Sequence, residues 1–348
     1  MNRILHIFRS QQTHLSVEII QLFAKECYSD EGNTTHAFMI FGNASEDEEA
    51  KYKTIGNGIV IIRSYSFREL LKELLSHRYD KILVHGDDFK ILYIVSLFCR
   101  KTIWICWGAG LSRSNSILSK INKPFKKLML NRLYKISTLL IGDKRNLEYN
   151  YNLKNVVLAP YPGYSEDEEK VVDFSKPRNN PLCVIVGNSG HCYNSYLEIL
   201  PALARLDLDF EVHCMFQYPD LVNEKKIIKE LGSKLLGDRF FLDDSLMGKE
   251  VWKDYMSKCD IYICHELVQT GLGAIHRCMM NGSKIYINGS NLEWERSIGA
   301  TVFDSKSIGK ITVEEFLREL SIEQKKENRK IVFQIWNQKE TWIRLFQS

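Results

Sequence analysis

The chain has 348 residues, a length that predicts about two domains. Its 47 Lys and Arg against 43 Asp and Glu leave a net charge of +4, which is too small for this length to indicate a nucleic-acid-binding protein. A hydrophobic content of 45% excludes a disordered chain and a collagen, and nine cysteines without a C-x-x-C pair favour buried, reduced thiols over a zinc site.

Short apolar runs alternate with helical patterns in the first half of the chain. The apolar runs predict strands at 3–8, 36–42, 58–63, 81–86 and 102–108, and the helical patterns lie at 16–28, 67–78 and 89–99. This alternation predicts a parallel sheet with helices on both faces.

The second half repeats the pattern after residues 161–181, an acidic stretch with two prolines near its end that we interpret as a linker. Strands are predicted at 182–190, 210–216, 239–244, 259–265 and 283–289, with helices at 224–236 and 273–282 between them. The predicted organisation is two Rossmann-like, doubly wound α/β domains, at 1–160 and 182–322, followed by terminal helices at 323–348 that can pack back on the first domain. Ligands of such sheets bind beyond the carboxyl ends of the strands, and we expect the loops of the two domains to meet at one cleft.

The stretch "VIVGNSGHCYN" (184–194) is the strongest single motif. A predicted strand ends at Gly187, and Asn188, Ser189 and Gly190 follow before a helix begins. Glycines let the backbone approach a diphosphate, and a helix start offers free N–H groups, so we predict phosphate contact here. A tight strand-to-helix turn without a ligand is the alternative.

A second glycine-containing loop precedes the helix of "HELVQTGLGAIHRCMMNG" (265–282). Its candidate ligand-binding residues are Gln269, Thr270, Gly271 and Gly273. Two helix starts that tolerate phosphate, at the same edge of one sheet, suit a nucleoside diphosphate. Close packing of the helix on the sheet explains the same glycines without a ligand.

Acid–base candidates follow strands of the first domain. His85 ends a strand in "HGDD" and could act as a general base with Asp87 or Asp88, and His14 follows the first strand. Trp107, in "WICWGAG", could stack on a sugar. Each of these residues could equally be structural. No D-x-D motif indicates a metal, so we predict a metal-independent site.

Residues 112–135 form a basic stretch with seven Lys and Arg, no acid and several apolar residues. Such a segment is typical of binding to an anionic membrane surface, although a solvated helix face is the alternative. The longest apolar run of the first half, 91–99, is shorter than the about 20 residues that span a bilayer, and the N-terminus shows no signal peptide. We therefore expect a soluble or peripheral cytoplasmic protein.

These motifs occur in the order of a known family. "HGDD", "WICWGAG", "VIVGNSGHCYN", "QYP" (217–219), "QTGLG" and "YINGSNLEW" resemble the TDP-4-acetamido-4,6-dideoxygalactose (Fuc4NAc):lipid II transferases, glycosyltransferase family 56. The resemblance implies a GT-B fold, a dTDP-linked deoxyamino sugar as donor and a polyprenyl-diphosphate-linked saccharide as acceptor. It also implies a peripheral protein on the cytoplasmic face of the bacterial inner membrane, acting in enterobacterial common antigen or O-antigen synthesis, with no separate cofactor.

On this reading, further residues are assigned to the donor. Gln217 and Tyr218 lie where a base or ribose would sit, Glu266 is a candidate for the ribose hydroxyls, and Asn288 and Glu293 are candidates for the sugar. His14, His85 and Asp87 are needed as a base only if the reaction inverts the anomeric carbon. Two other functions stay open, a nucleotide-sugar epimerase on the same fold and a non-catalytic sugar-nucleotide-binding protein.

Overall fold

The structure is a computed structural model. It describes residues 2–10, 13–23, 34–43, 46, 50, 52, 60–76, 79–86, 88–108, 117–161, 171–187, 193–206, 208–217, 222–245, 247–267 and 269–347, with the backbone alone at 13–15, 117–123, 193 and 249. The strands are β1 Asn2–Arg9, β2 Thr34–Phe41, β3 Val60–Ser64, β4 Lys81–His85, β5 Thr102–Cys106, β6 Lys135–Thr138, β7 Val156–Leu158, β8 Leu182–Val186, β9 Phe210–Met215, β10 Phe240–Asp243, β11 Ile261–Cys264, β12 Lys284–Ile287 and β13 Phe303–Asp304.

The α-helices of the described residues alternate with these strands. They are α1 Thr13–Leu22, α2 Phe67–Ser76, α3 Phe89–Val95, α4 Ile117–Arg132, α5 Ile141–Asn150, α6 Tyr193–Ala204, α7 Val222–Leu236, α8 Lys249–Ser257, α9 Leu272–Asn281, α10 Gly289–Ser297, α11 Val313–Leu317, α12 Ile322–Trp336 and α13 Lys339–Gln347. None of the helices in the described part of the chain has the length and apolar character needed to cross a bilayer.

The chain divides into two compact units. The first comprises Met1–Ser165 and Ile335–Ser348, and the second comprises Glu166–Gln334. The C-terminal return is therefore shorter than the predicted 323–348, because most of α12 belongs to the second unit. Within the first unit α13 is held by Trp342, whose side chain is fully buried and whose indole N–H donates to the carbonyl of Pro160 at 2.8 Å.

The first unit is built on a seven-stranded parallel sheet with the order β3-β2-β1-β4-β5-β6-β7. Side chains alternate between its faces, so Leu5 and Ile7 enter one core while Ile4 and Phe8 enter the other. Both faces are covered, which explains why the central strands are continuous apolar runs. The strand order reverses direction between β1 and β4, and this switch point is where such sheets bind ligands.

The second unit has a six-stranded parallel sheet with the order β10-β9-β8-β11-β12-β13. Its central strands β11 and β12 are completely buried. Here the order reverses between β8 and β11. Two parallel, doubly wound sheets confirm the predicted fold class.

Three observed strands were absent from the predicted set, namely β6, β7 and β13. β6 has the sequence Lys-Ile-Ser-Thr, and its buried Ser137 and Thr138 hydroxyls donate to the carbonyls of Ala159 and Val157, each at 3.3 Å. Because these polar side chains form hydrogen bonds, the strand can be buried without being an apolar run, so the apolar pattern does not predict it. The other two strands have only three and two residues, too few to show a period.

Candidate active site

A recess opens at the switch point of the second sheet. Its lining residues come from the ends of β8 and β11 and from helix α6, and they are Val186, Gly187, Ser195, Tyr196, His265 and Glu266. Two residues predicted from sequence to bind the donor, Gly187 and Glu266, therefore share one recess. Glu266 is only 6% exposed, so it is largely buried beside the recess.

Gly187 is required by its backbone and by its surroundings. Its φ is +83°, a region that favours glycine, and a Cβ atom there would collide with the hydroxyl of Tyr196. That hydroxyl donates to the Met215 carbonyl at 2.6 Å, while the Tyr262 hydroxyl donates to the Gly187 carbonyl at 3.0 Å. Two buried tyrosines thus fix the turn that ends β8 and leave its backbone close to the recess.

His265 is a site residue that sequence reasoning missed. Its Nδ1 lies 2.7 Å from the Ser305 hydroxyl and its Nε2 lies 3.1 Å from a carboxylate oxygen of Glu198. The Ser195 hydroxyl also donates to the His265 carbonyl. The signal available in the sequence was its position directly after a buried strand, beside Glu266.

The second predicted loop precedes α9, as expected. Gly271 caps the helix with a φ of +67°, so this glycine is also demanded by the backbone. Gly273 is exposed and a Cβ there would meet nothing within 4 Å, so packing does not explain it. The Thr270 carbonyl accepts a hydrogen bond from the Asn291 side-chain amide at 2.7 Å, which ties the loop to α10.

A buried polar layer lies around this loop. Gln269 is 9% exposed, and its side-chain oxygen has no hydrogen-bond partner among the described residues. Beneath α9, His276 Nε2 lies 2.9 Å from a carboxylate oxygen of the fully buried Glu295. Polar contacts with α10 therefore fix both the loop at Thr270 and helix α9, and they keep the start of α9 in place.

The remaining donor candidates are distributed differently. Asn288 is buried and caps α10, accepting from the Gly289 N–H at 2.7 Å, so its side-chain oxygen has a structural role. Glu293 lies exposed on α10, and Gln217 is half-buried just after β9. Asn188, Ser189, Gly190, Tyr218 and Asp87 lie outside the described residues, and of His14 only the backbone, at the start of α1, is described.

The first unit brings three histidines together in a way that the sequence did not predict. Nδ1 of His6 lies 3.0 Å from Nε2 of His85, and Nε2 of His6 lies 2.8 Å from Nδ1 of His36. Nδ1 of His85 lies 2.7 Å from the Tyr161 hydroxyl, which also accepts from the Trp107 indole N–H at 2.9 Å. These five side chains, which we call the imidazole array, form one continuous hydrogen-bonded line.

The array lies in an aromatic layer beneath α1 and α13. The Phe8 ring stacks on His85 with a centroid distance of 4.1 Å, and the Trp342 ring stacks on Tyr161 at 5.7 Å. Burial lowers the pKa of His36 to about 4 and that of His85 to about 3. The pKa of His6 is also well below its ordinary value, through burial first and then through the two neighbouring imidazoles. All three rings are neutral at pH 7.

Of the two partners predicted for His85, Asp87 lies outside the described residues, and the pairing with Asp88 is wrong. Asp88 is the N-cap of α3, where it accepts from the backbone N–H groups of Lys90 and Ile91, and it forms an ion pair with Arg9 at 2.5 Å. Both ring nitrogens of His85 are taken by the array. His85 is 3% exposed, so it does not present a free nitrogen to a substrate.

Helix α4 contains part of the basic stretch predicted to face a membrane. Met129 and Leu130 pack into the core, whereas Phe125 and Leu128 are 61% and 60% exposed. The neighbouring turn at 96–101 adds Leu97, which is 71% exposed. Exposed apolar side chains therefore accompany the basic ones. The side chains of 112–123 lie outside the described residues.

The neutral imidazoles make the free energy of unfolding depend on pH. Unfolded histidine titrates near 6.5, so below that value the unfolded chain binds more protons than the folded one. The stabilisation that the neutral rings contribute is therefore complete above about pH 6.5. As the pH drops towards about 4, the free energy of unfolding falls by about 1.4 kcal/mol per pH unit for each histidine. Urea unfolding at pH 5, 6 and 7.5 measures this slope.

His36→Gln should flatten that slope between pH 6 and 5, because it removes one titrating ring. The matched control is His213→Gln. Burial lowers the pKa of His213, but hydrogen bonds and charge from Asp243 and Glu211 raise it overall, so its contribution changes above pH 6.5. An equal flattening by both variants would contradict this assignment.

Substituting Gly187 by alanine should lower the free energy of unfolding by about 1–3 kcal/mol, because of the positive φ and the collision with Tyr196. Gly273→Ala is the matched control. Its Cβ meets open space inside a helix, so we expect unchanged or up to about 1 kcal/mol higher stability. Chemical denaturation compares the two, and equal losses would argue against the special role of the β8 turn.

Known structures share the fold of this chain. A glycosyltransferase from Rickettsia africae is 12% identical, with a TM-score of 0.73 over 99% of this chain and 98% of that chain. Anabaena HepE, in complex with UDP and glucose, is 13% identical, with a TM-score of 0.70 over 100% of both chains. The UDP-GlcNAc 2-epimerase of Neisseria meningitidis is 15% identical, with a TM-score of 0.58 over 99% of this chain and 100% of that chain.

At these identities the likeness shows the fold, which is the GT-B fold of two Rossmann-like domains. The family model described as 4-alpha-L-fucosyltransferase, glycosyl transferase group 56, matches residues 1–348. It confirms the resemblance carried by the motifs. The chain belongs to this family, glycosyltransferase group 56, and is a glycosyltransferase.

Proposed function

We propose that this glycosyltransferase moves a Fuc4NAc-type deoxyamino sugar from a dTDP-linked donor to a polyprenyl-diphosphate-linked saccharide during surface polysaccharide synthesis. The observation that carries the proposal is the family match over the whole chain, since the family description names a 6-deoxyhexose, fucose, as the sugar transferred. The dTDP and lipid parts rest on the motif resemblance.

On the donor side, the recess at the switch point of the second sheet supplies the binding groups. The fixed turn at Gly187 allows close backbone approach, and Glu266 supplies a carboxylate suited to ribose hydroxyls. The start of α9, whose cap Gly271 is held in place through Thr270 and Asn291, presents backbone N–H groups to a diphosphate. We propose that these groups stabilise the leaving diphosphate without a metal.

On the acceptor side, helix α4 supports attachment to a membrane. Phe125 and Leu128 can enter the lipid headgroup region, while Lys127 and Arg132 on the same helix favour anionic lipids. Each base near such a surface contributes about 1 kcal/mol. We therefore propose peripheral binding at the cytoplasmic face of the bacterial inner membrane, where a polyprenyl-linked acceptor would be found.

Donor binding is tested by calorimetry with dTDP-Fuc4NAc, dTDP, UDP-GlcNAc and UDP-glucose, each with Mg²⁺ and with EDTA. We expect selective binding of the dTDP-linked sugar, unchanged by EDTA, and at least tenfold weaker binding by Gly271→Ala. Preference for UDP-GlcNAc, with its conversion to an epimer, would favour the epimerase alternative. Binding of the donor without any turnover would favour the non-catalytic alternative.

Membrane attachment is tested by co-sedimentation with vesicles containing phosphatidylglycerol. We expect the double variant Phe125→Ser, Leu128→Ser to lose most vesicle binding, and Lys127→Glu, Arg132→Glu to lose it more strongly at low salt than at high salt. The matched control is Lys226→Glu, Lys229→Glu, which reverses two charges on α7 of the second unit. Equal losses in test and control variants would contradict a specific α4 surface.

A further inference from the structure

The three rings of the imidazole array lie on one face of the first sheet and run diagonally over β2, β1 and β4. His6 pairs in register with Phe38 on β2 and with Leu83 on β4. His36 therefore lies two residues before the register position on one side, and His85 lies two residues after it on the other. Because side chains two apart share a face, the three rings form a diagonal from the start of β2 to the carboxyl end of β4.

The donor groups of the array limit its hydrogen bonds to two possible orders. The Trp107 indole can only donate, so the Tyr161 oxygen accepts from it. Each neutral imidazole has one N–H and one lone pair, so three rings in line must all donate in the same direction. In one of the two orders Tyr161 donates to Nδ1 of His85, His85 donates to His6 and His6 donates to His36. Tyr161, His85 and His6 can then each receive a proton on one side and release one on the other.

The exposed fractions of the array's side chains indicate which of them could contact a substrate. His6, His36 and His85 are 0%, 2% and 3% exposed, whereas Tyr161 is only partly buried. Trp107, the partner of Tyr161, directly follows β5. The tyrosine hydroxyl thus lies at the carboxyl edge, beside the ends of β4 and β5, where this kind of sheet binds ligands.

We infer that Tyr161 is a further catalytic residue, which takes the proton of the acceptor hydroxyl while its own phenolic proton passes to Nδ1 of His85. The inference rests on the proposed function. The acceptor oxygen forms its bond to the anomeric carbon, the bond from that carbon to the diphosphate oxygen breaks, and the electron pair leaves with the diphosphate. The acceptor proton ends on Tyr161, and the relayed proton ends on one of the three imidazoles.

His6 and His36 act through His85 and are positioning residues. In this order of hydrogen bonds Nδ1 of His85 accepts from Tyr161, and His6 and His36 offer further rings to which the charge can move. Burial lowers the pKa values of all three rings, so the array is unprotonated at neutral pH and is a weak base. The proton therefore moves to the array only while the bond to the diphosphate breaks, and it leaves the array after each turnover.

Tyr161→Phe tests the inference with the least disturbance, because it retains the ring that stacks on Trp342. With dTDP-Fuc4NAc and a polyprenyl-diphosphate-linked saccharide, we expect kcat to fall by about 100-fold or more, the usual size of an acid–base contribution. The Kd for the donor should stay unchanged. Tyr149→Phe is the control, because it also removes a phenolic hydroxyl, but from an exposed tyrosine on α5. A kcat within twofold of the control would overturn the inference.

The double variant Tyr161→Phe, His85→Gln tests whether the two residues act in series. Groups in one relay lose their effect together, so the double variant should be no slower than the slower single variant. If the losses in kcat of the two single variants multiply in the double variant, the relay is contradicted. Near-ultraviolet circular dichroism checks the fold of each variant. Failure of the wild-type chain itself to transfer sugar would instead contradict the proposed function, so the two failures are distinguishable.

Discussion

Each sheet of this protein depends on one constraint, the reversal of strand order between two neighbouring parallel strands. Strands on either side of the reversal send their connections in opposite directions, so the carboxyl ends at that point are left uncovered. In the second unit this opening is the recess between Gly187 and Glu266. In the first unit the corresponding strands are β1 and β4, which carry His6 and His85. The same topology, used twice, thus lies at the recess that we propose for the donor in one unit and at the array that we propose for proton transfer in the other.

Different chemical groups surround the switch points of the two sheets. The recess of the second unit relies on backbone geometry, because Tyr196 and Tyr262 fix the turn at Gly187 and a buried polar layer supports the start of α9. The imidazole array of the first unit relies on neutral rings buried among aromatic side chains. Backbone N–H groups suit an anionic diphosphate, whereas neutral imidazoles can accept a proton. This division fits the glycosyl transfer that we propose.

The sequence was sufficient for the fold class, for the order of the longer strands along the chain and for the glycines at positions 187 and 271, which follow a strand and precede a helix. These features follow from local patterns, namely apolar runs, helical periods and glycines at strand ends. The sequence singled out His85 but offered Asp87 or Asp88 as its partner, because both are close in the chain, and Asp88 is instead a helix N-cap. Its actual partners, His6 and Tyr161, are 79 and 76 residues away, and no local pattern reports such a contact. Tyr161 was assigned to the linker for the same reason.

The central claim is the transfer of a dTDP-linked deoxyamino sugar to a polyprenyl-diphosphate-linked saccharide, and mass spectrometry of the lipid product tests it most directly. The purified chain would be incubated with dTDP-Fuc4NAc and a polyprenyl-diphosphate-linked saccharide in phosphatidylglycerol vesicles. The account predicts a lipid heavier by one Fuc4NAc residue and an equal amount of released dTDP. An unchanged lipid with intact, hydrolysed or epimerised donor would contradict it.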